Sequence, residues 1–274
     1  MALLLNSDIG SRVRRCLAGR VARAGGAMNQ LMPYEQCTVE DINLPDGGFG
    51  RVRTAAGART LWQRLRVAKR YVLQEWKFLR KGYAVSRDRK TILLDMHSAH
   101  HDPSLRGRYD CSISSNLIEH SPNPIFLLLN FFFITRKGGY QYHAIPHYKF
   151  TYDMYREPTK LEHLVEDFEN MMDASDPTHK EDYIQSAIVK HGWQREFHEK
   201  YPVAYPYMHF HVFDEHNTRA LFEFMFEDVV NDVIKTEEFS DNIVIFRNEL
   251  NARFLETHKG HMERYSNTLL GSSP

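Results

Sequence analysis

Apolar side chains recur every three or four residues in several parts of the chain, which is the period of an amphipathic helix. The clearest example runs from Leu61 to Leu79 and presents a strongly basic opposite face. A second helix is predicted to begin at Pro124 and to end at Lys137-Gly138-Gly139, where glycine provides a left-handed C-cap. The pattern predicts further helices over residues 161–172 and 218–233.

Short stretches typical of β-strands separate these helices. They cover residues 83–85, 91–94, 109–115, 140–145, 208–213 and 242–246. Short connections and a helical crossover predict a mostly parallel sheet flanked by helices, in an α/β fold. We expect a single domain with an insertion, rich in histidine and tyrosine, at about residues 150–207, of which residues 173–207 are irregular.

The first 32 residues differ from the rest of the chain. Up to residue 27 they carry five arginines and one acidic residue, namely Arg12, Arg14, Arg15, Arg20, Arg23 and Asp8. Such a composition fits an organellar transit peptide or a disordered leader. Alternatively, the sequence begins upstream of the natural start, which would be Met28 or Met32. We predict a disordered basic leader over residues 1–32 and a folded domain over residues 33–274.

Composition narrows the possible partners and compartments. The 35 basic residues balance 35 acidic ones, so the chain lacks the positive field that binding to nucleic acid needs. Three widely spaced cysteines exclude a disulfide framework and fit a reducing cytoplasm. The longest apolar run, Ile125 to Ile134, is about half of the roughly 20 residues that cross a bilayer. We therefore expect a cytoplasmic protein with no transmembrane segment and no nucleic-acid partner.

Several motifs follow one another between Asp110 and Pro146. They are the strand DCSISS, the turn Asn116-Leu-Ile-Glu119-His120, Asn123-Pro124 at the start of a helix, and Lys-Gly-Gly before the next strand. In this order they resemble the second half of a class I S-adenosylmethionine-dependent methyltransferase. The resemblance covers residues 91–246 and favours a bacterial subgroup that acts around surface-glycan and small-molecule biosynthesis. It implies a Rossmann-like fold.

The resemblance also implies S-adenosylmethionine as the cofactor, bound beyond the strand ends where the strand order reverses. It implies that five residues bind the cofactor: Asp95, Met96, Asn116, Glu119 and His120. Asp95 would accept the adenine amino group, with the backbone of Met96 facing the ring, or it is simply a turn aspartate. Glu119 and His120 would line the pocket near the methionine end of the cofactor, or cap a helix.

One family feature is absent from the expected place. Family members have a glycine-rich loop after the first strand, but residues 61–90 contain only Gly82. Gly47-Gly48-Phe49-Gly50 is a candidate for a displaced loop, and Asp88 for the ribose-binding acid. Two functions stay open: a methyltransferase with an abbreviated pocket, and a catalytically inactive scaffold or partner in a biosynthetic pathway.

Methyl transfer to a hydroxyl requires a base for the acceptor proton, and histidine has a suitable pKa. His147 follows the strand over residues 140–145 and is the predicted base, with Asp153 orienting it. Alternatively, His147 only shapes a turn. The predicted lining of the acceptor pocket is Tyr152, Arg156 and His163. Arg156 would bind an anionic group of a small-molecule acceptor through two hydrogen bonds. Alternatively, it would pair with Asp167 or Glu162.

Histidines are abundant in the C-terminal half. His209 and His211 flank Phe210, and a strand there would point both imidazoles to one side. Without a tight spacing such as HExxH, we predict hydrogen-bonded histidines and no metal site. The expected reaction is methyl transfer to a hydroxyl of a sugar or another small polar metabolite.

Overall fold

The computed structural model describes residues 18–25, 37–43, 90–186, 208–235 and 240–265. Within them the strands are β1 (Gly19–Gly25), β2 (Cys37–Asn43), β3 (Lys90–Leu93), β4 (Tyr109–Ser115), β5 (Thr135–Pro146), β6 (Val230–Lys235) and β7 (Ser240–Arg247). The α-helices are α1 (Pro124–Ile134), α2 (Leu161–Glu169), α3 (Thr178–Tyr183), α4 (Glu215–Met225) and α5 (Ala252–Tyr265). Four 3₁₀ turns occur at Met96–His101, Pro103–Leu105, Ile118–His120 and Tyr148–Phe150.

The strands form one sheet in the order β3-β2-β1-β4-β5-β7-β6. Strands β1 to β5 are parallel, and β7 runs antiparallel to both β5 and β6. The chain passes from β1 to β2 and β3 on one side, and then crosses to β4 on the other. The predicted Rossmann-like α/β fold is therefore confirmed, and its strand order reverses between β1 and β4.

The central strand β1 lies inside the region predicted to be a disordered leader, so that prediction is wrong for Gly19–Gly25. Val21, Ala22 and Ala24 are buried. Two of the five arginines that suggested a leader pair with acids on the neighbouring strand: Arg20 Nη2 lies 2.7 Å from Glu40 and Arg23 Nη2 lies 2.6 Å from Asp41. The counter-charges come from another strand, which the local composition does not show.

Helix α1 begins where the sequence predicts. Asn123 caps it by accepting the backbone N–H of Phe126 at 3.0 Å, and Pro124 occupies the first turn. Ile125, Leu128 and Phe131 are fully buried, so α1 forms the centre of the apolar core. Apart from Asn130, the side chains of α1 are apolar on all sides, so the helix is not amphipathic.

The end of α1 differs from the prediction, because the helix stops at Ile134 and β5 begins at once. Gly138 and Gly139 lie inside β5, where the pairing with β4 shifts between Tyr109 and Cys111. Gly138 has φ +67°, and a Cβ on Gly139 would lie 2.6 Å from the carbonyl oxygen of Asp110. The glycine pair therefore shapes a bulge and does not cap the helix.

Two predictions in the C-terminal half are wrong. Residues 208–213 are buried but form no strand. The N–H of Phe210 donates to the carbonyl of Glu119 at 2.8 Å, and Arg156 donates to the carbonyls of His209 and Phe210. The backbone groups of this segment therefore bond to Glu119 and Arg156 and not to a neighbouring strand. The helix predicted over residues 218–233 ends at Met225, and residues 230–235 form β6.

Of the other predicted elements, one is confirmed and several lie outside the described residues. The closing strand predicted over residues 242–246 is confirmed by β7. The predicted helix over residues 61–79 and strand over 83–85 lie outside the described residues, as do Gly47-Gly48-Phe49-Gly50 and Asp88. Among the described helices, none combines the length and apolar character that a membrane span requires.

Candidate active site at the point of strand reversal

The ends of β1 and β4 approach each other closely at Gly25. Gly25 has φ +83°, and a Cβ there would overlap the carbonyl oxygen of Ser115. In the sequence it is followed by Gly26 and Ala27. Gly25 ends β1, and the pair Gly25-Gly26 precedes the segment in which we expected a glycine-rich loop.

An acidic residue lies near the end of β2. Asp41 accepts the Arg23 Nε–H at 2.7 Å, across the parallel pair of β1 and β2. In dinucleotide-binding folds, a carboxylate about 20 residues after the glycines holds ribose hydroxyls. Sequence reasoning missed Asp41 because it took the later strand segments as the start of the sheet. The signal was the short strand CTVEDIN after a Gly-Gly pair.

Asp95 follows β3 and forms the start of the 3₁₀ turn Met96–His101. Its Oδ1 accepts the backbone N–H of His97 at 2.9 Å and lies 3.0 Å from Nδ1 of the same residue. The other nitrogen of His97, Nε2, lies 2.8 Å from Oγ of Ser121. The ring therefore links the loops after β3 and β4. Met96 is buried and Asp95 is partly exposed.

Asn116, Glu119 and His120 follow β4, as predicted, but in different environments. Asn116 is exposed, with φ +50°, and accepts the hydroxyl of Ser115 at 2.9 Å. Glu119 and His120 are buried. Among the described residues no group hydrogen-bonds to either carboxyl oxygen of Glu119.

Burial raises the pKa of Glu119 well above its ordinary value, and the nearby Asp241 and Asp153 add to the effect. Burial likewise raises the pKa of Asp241 to about 6. His120 donates from Nδ1 to the carbonyl of Met208 at 3.0 Å, and burial together with His209 lowers its pKa well below the ordinary value. A neutral carboxyl and a neutral imidazole are thus favoured side by side.

His209 and Asp153 form a buried imidazole–carboxylate pair. His209 Nδ1 lies 2.5 Å from Asp153 Oδ2, and the other oxygen, Oδ1, accepts Arg156 Nη1 at 2.8 Å. Burial opposes ionisation of Asp153, but His209 and Arg156 outweigh it and lower its pKa. The ring of His209 also packs edge-on against His120, with centroids 4.4 Å apart. The pair therefore adjoins the loop after β4.

The predicted base His147 has a different partner from the one expected. Its Nε2–H donates to Glu215 at 2.9 Å, and its Nδ1 accepts the backbone N–H of Lys149 at 3.3 Å. The prediction that Asp153 orients His147 is wrong, since Asp153 pairs with His209. Both ring nitrogens of His147 therefore already bond protein groups.

The predicted acceptor-pocket residues separate into different environments. Arg156 is buried, with a guanidinium that bonds Asp153 and Asp182 (Nε to Oδ2, 2.6 Å), and not Asp167 or Glu162. It therefore holds protein groups and does not face an anionic ligand. Tyr152 packs on His209 with ring centroids 4.4 Å apart.

His163 lies apart from them, beside Asp167, His179 and His211. His209 and His211 consequently do not share one face, because each contacts a different carboxylate. Three groups of described side chains bring possible metal-ligand atoms within 4.8 Å of one another. They are His163–Asp167–His179–His211, Glu119–His120–His209 and Glu169–His258–His261.

Comparison with known proteins gives no family. No protein-family model and no curated protein matches the chain. Among solved structures, similar folds include the S-adenosylmethionine-dependent methyltransferase SibL (TM-score 0.43, 15% identity, covering 90% of this chain and 54% of that one). An arsenic(III) S-adenosylmethionine methyltransferase from Chlamydomonas reinhardtii gives TM-score 0.41, 12% identity and coverages of 90% and 72%. A putative methyltransferase from Bacillus halodurans gives TM-score 0.38 and 12% identity, covering 89% of this chain and 100% of that one.

The chain spans about half the length of the first of these structures. The assignment of the fold therefore rests on the strand order and register described above.

Proposed function

We propose that this protein is an S-adenosylmethionine-dependent methyltransferase that acts on a hydroxyl of a sugar or another small polar metabolite. The observation that carries the proposal is the position of the methyltransferase-like motif Asn116 to His120. It lies at the strand reversal, beside Gly25 of β1. In open α/β sheets this crevice is where ligands bind.

The groups at this crevice fit the cofactor. At Gly25 a Cβ would lie 2.4 Å from the carbonyl oxygen of Ser115, so glycine allows the ends of β1 and β4 to meet at this crevice. The carboxylates of Asp41 and Asp95 would accept from ribose hydroxyls and from the adenine amino group, respectively. When bound, S-adenosylmethionine supplies a methyl group already activated by its sulfonium.

His209 is the proposed base, in place of His147. Because Asp153 accepts the Nδ1–H of His209, the neutral ring keeps its lone pair on Nε2. Asp153 fixes the ring and stabilises the imidazolium that forms when Nε2 takes the acceptor proton. Arg156 and Thr151 hold Asp153 in turn. This arrangement is a base with an orienting carboxylate, which a hydroxyl acceptor requires.

Glu119 supplies a second proton-bearing group beside the base. Its raised pKa favours the neutral carboxyl, which donates a hydrogen bond. A donor next to the acceptor oxygen would orient that oxygen for in-line attack. Buried polar groups of this kind favour a small polar acceptor over an apolar one.

Calorimetric titration with S-adenosylhomocysteine tests the cofactor. We expect the wild-type protein to bind it, and Asp95→Ala to weaken binding by about 1–3 kcal/mol through loss of a hydrogen bond. His216→Gln, which changes an exposed imidazole, serves as the control with unchanged affinity. Failure of the folded wild-type protein to bind would return the scaffold function to first place.

Turnover separates the two candidate bases. Release of S-adenosylhomocysteine is measured with a panel of sugars and sugar nucleotides as acceptors. His209→Gln should lower turnover by ~10²–10⁴-fold while the affinity for S-adenosylhomocysteine stays within a few-fold. His147→Gln should retain most activity. The opposite result would make His147 the base.

A further inference from the structure

We infer that His163, Asp167, His179 and His211 form a binding site for one divalent transition-metal ion, with Zn²⁺ as the best match. The prediction of no metal was made from sequence spacing, which cannot show that three separate segments converge. The inference concerns metal binding and is independent of which group the protein transfers.

The ligands come from three segments that the fold brings together. His163 and Asp167 are four residues apart on α2 and therefore share one face of that helix. His179 lies at the start of α3, and His211 lies in the buried segment 208–213. All four donor atoms lie within 4.8 Å of one another.

The three imidazole–carboxylate distances fit the edges of a tetrahedron around a metal ion better than they fit hydrogen bonds. Nε2 of His163 lies 3.5 Å from Asp167 Oδ2, and Nε2 of both His179 and His211 lies 3.4 Å from it. Nε2 of His163 and of His179 are 3.1 Å apart. A tetrahedron with metal–ligand bonds of about 2.0–2.1 Å has edges of roughly 3.3–3.4 Å. Charge-assisted hydrogen bonds would be shorter, at about 2.7–2.9 Å.

The carboxylate at the centre of the cluster also requires a partner. Asp167 is buried, and among the described residues its Oδ2 has no hydrogen-bond partner. A buried polar oxygen without a hydrogen-bond partner is costly. A cation surrounded by Oδ2 and three imidazole nitrogens removes that cost.

The surroundings hold the ligands in place. Asn123, which caps α1, donates to the backbone carbonyl of Asp167 at 3.1 Å. Nδ1 of His179 lies 3.3 Å from the hydroxyl of Thr178, a contact of the kind that orients metal-bound imidazoles. Nitrogen and carboxylate donors in tetrahedral geometry suit Zn²⁺. Four protein ligands indicate a structural ion that joins α2 and α3 to the segment holding His209.

The test uses the full-length protein, stripped with a chelator and titrated with ZnCl₂ and, separately, with CoCl₂. We expect one equivalent of Zn²⁺ to bind and to raise the melting temperature. Co²⁺ should give the intense visible bands of four-coordinate cobalt. Absence of binding by the folded wild-type protein, or the weak spectrum of six-coordinate cobalt, would overturn the inference.

Variants locate the site. His163 is the most exposed ligand, with 45% of its side chain accessible, so His163→Ala should fold normally. We expect it and Asp167→Asn to weaken Zn²⁺ binding by at least about 10–100-fold, the loss seen when only an outer contact is removed. The matched control His216→Ala should bind like the wild type. If His258→Ala abolishes binding and His163→Ala does not, the metal lies elsewhere and the assignment is wrong.

Discussion

The core around α1 and the histidine-rich region after β5 are both buried, but they are built from different chemistry. In α1 the buried side chains are almost all apolar, as in Ile125, Leu128 and Phe131. In the other region the buried side chains include Asp153, Arg156 and several imidazoles. Apolar contacts need no particular partner, whereas each buried charge needs a specific one. The first region accounts for the stability of the fold and the second for its candidate chemistry.

The largest expected effect is in the apolar core. Phe131→Ala removes a fully buried ring and should lower the free energy of unfolding by about 3–5 kcal/mol. Urea denaturation measures the loss, and Zn²⁺ should not restore it. Met154→Ala, at a side chain that is largely exposed, is the control with a change within about 0.5 kcal/mol. A small loss for Phe131→Ala would mean that α1 is not the centre of the core.

The next largest loss in the free energy of unfolding is expected when a buried charge is removed from the histidine-rich region. Arg156→Met leaves the buried Asp153 carboxylate without its cationic partner, and we expect a loss near the lower end of about 3–5 kcal/mol. Asp182 is exposed, so water should replace its lost partner and limit the cost. Urea denaturation at pH 7 provides the measurement. A loss below about 1 kcal/mol would show that the network is not a fixed part of the fold.

A smaller effect is expected from pH, and it arises from the one imidazole of β5. His143 lies in the core between Ser114 (2.7 Å) and Gln141 (3.0 Å), and burial lowers its pKa to about 3. Between pH 6.5 and 3 the unfolded chain therefore binds one more proton than the folded protein at this site. Stability should fall as the pH falls through this range, with His143 accounting for up to about 2 kcal/mol between pH 6.5 and 5.

Urea denaturation at these two pH values compares the wild type with His143→Gln, which should lose less stability on acidification. His216→Gln, an exposed control, should keep the wild-type pH dependence. An unchanged dependence in His143→Gln would mean that His143 titrates normally in the folded protein.

The smallest expected effect is at the surface of the sheet. Arg136 pairs with Asp110 at 2.7 Å, but both side chains are exposed. Arg136→Ala should change the free energy of unfolding by less than about 1 kcal/mol, because water and salt screen such pairs. Thermal denaturation at low and high ionic strength measures it. A larger loss would mean that this exposed pair stabilises the fold as much as the buried charges around Asp153 do.

Most of the sheet after β3 could be predicted from the sequence. β4, α1, β5 and β7 follow from local patterns, namely buried apolar runs, the Asn123-Pro124 cap and the period of alternation. The strand β1 could not be predicted in this way, because Arg20 and Arg23 are neutralised only by Glu40 and Asp41 of β2. Residues 208–213 alternate like a strand, yet their backbone bonds to Arg156 and to the loop after β4.

For the candidate site, local sequence identified residue types but not partners. Glu119, His120 and Asp153 were predicted and do lie together, but the imidazole paired with Asp153 is that of His209, 56 positions away. Arg156 was predicted to pair with a carboxylate or a ligand, and its partners Asp153 and Asp182 follow from the fold. The pairs depend on how the segment 208–213 crosses the loop after β4.

The α/β class, the apolar helix α1 and the motif from Asn116 to His120 can be predicted from the chain alone, because each depends on neighbours within a few residues. Three contacts follow only from the packed fold: Gly25 adjoins Ser115, Asp153 pairs with His209, and three histidines surround Asp167. These contacts join residues far apart in the chain. Their energy depends on burial and distance, which exist only once the sheet and helices have packed.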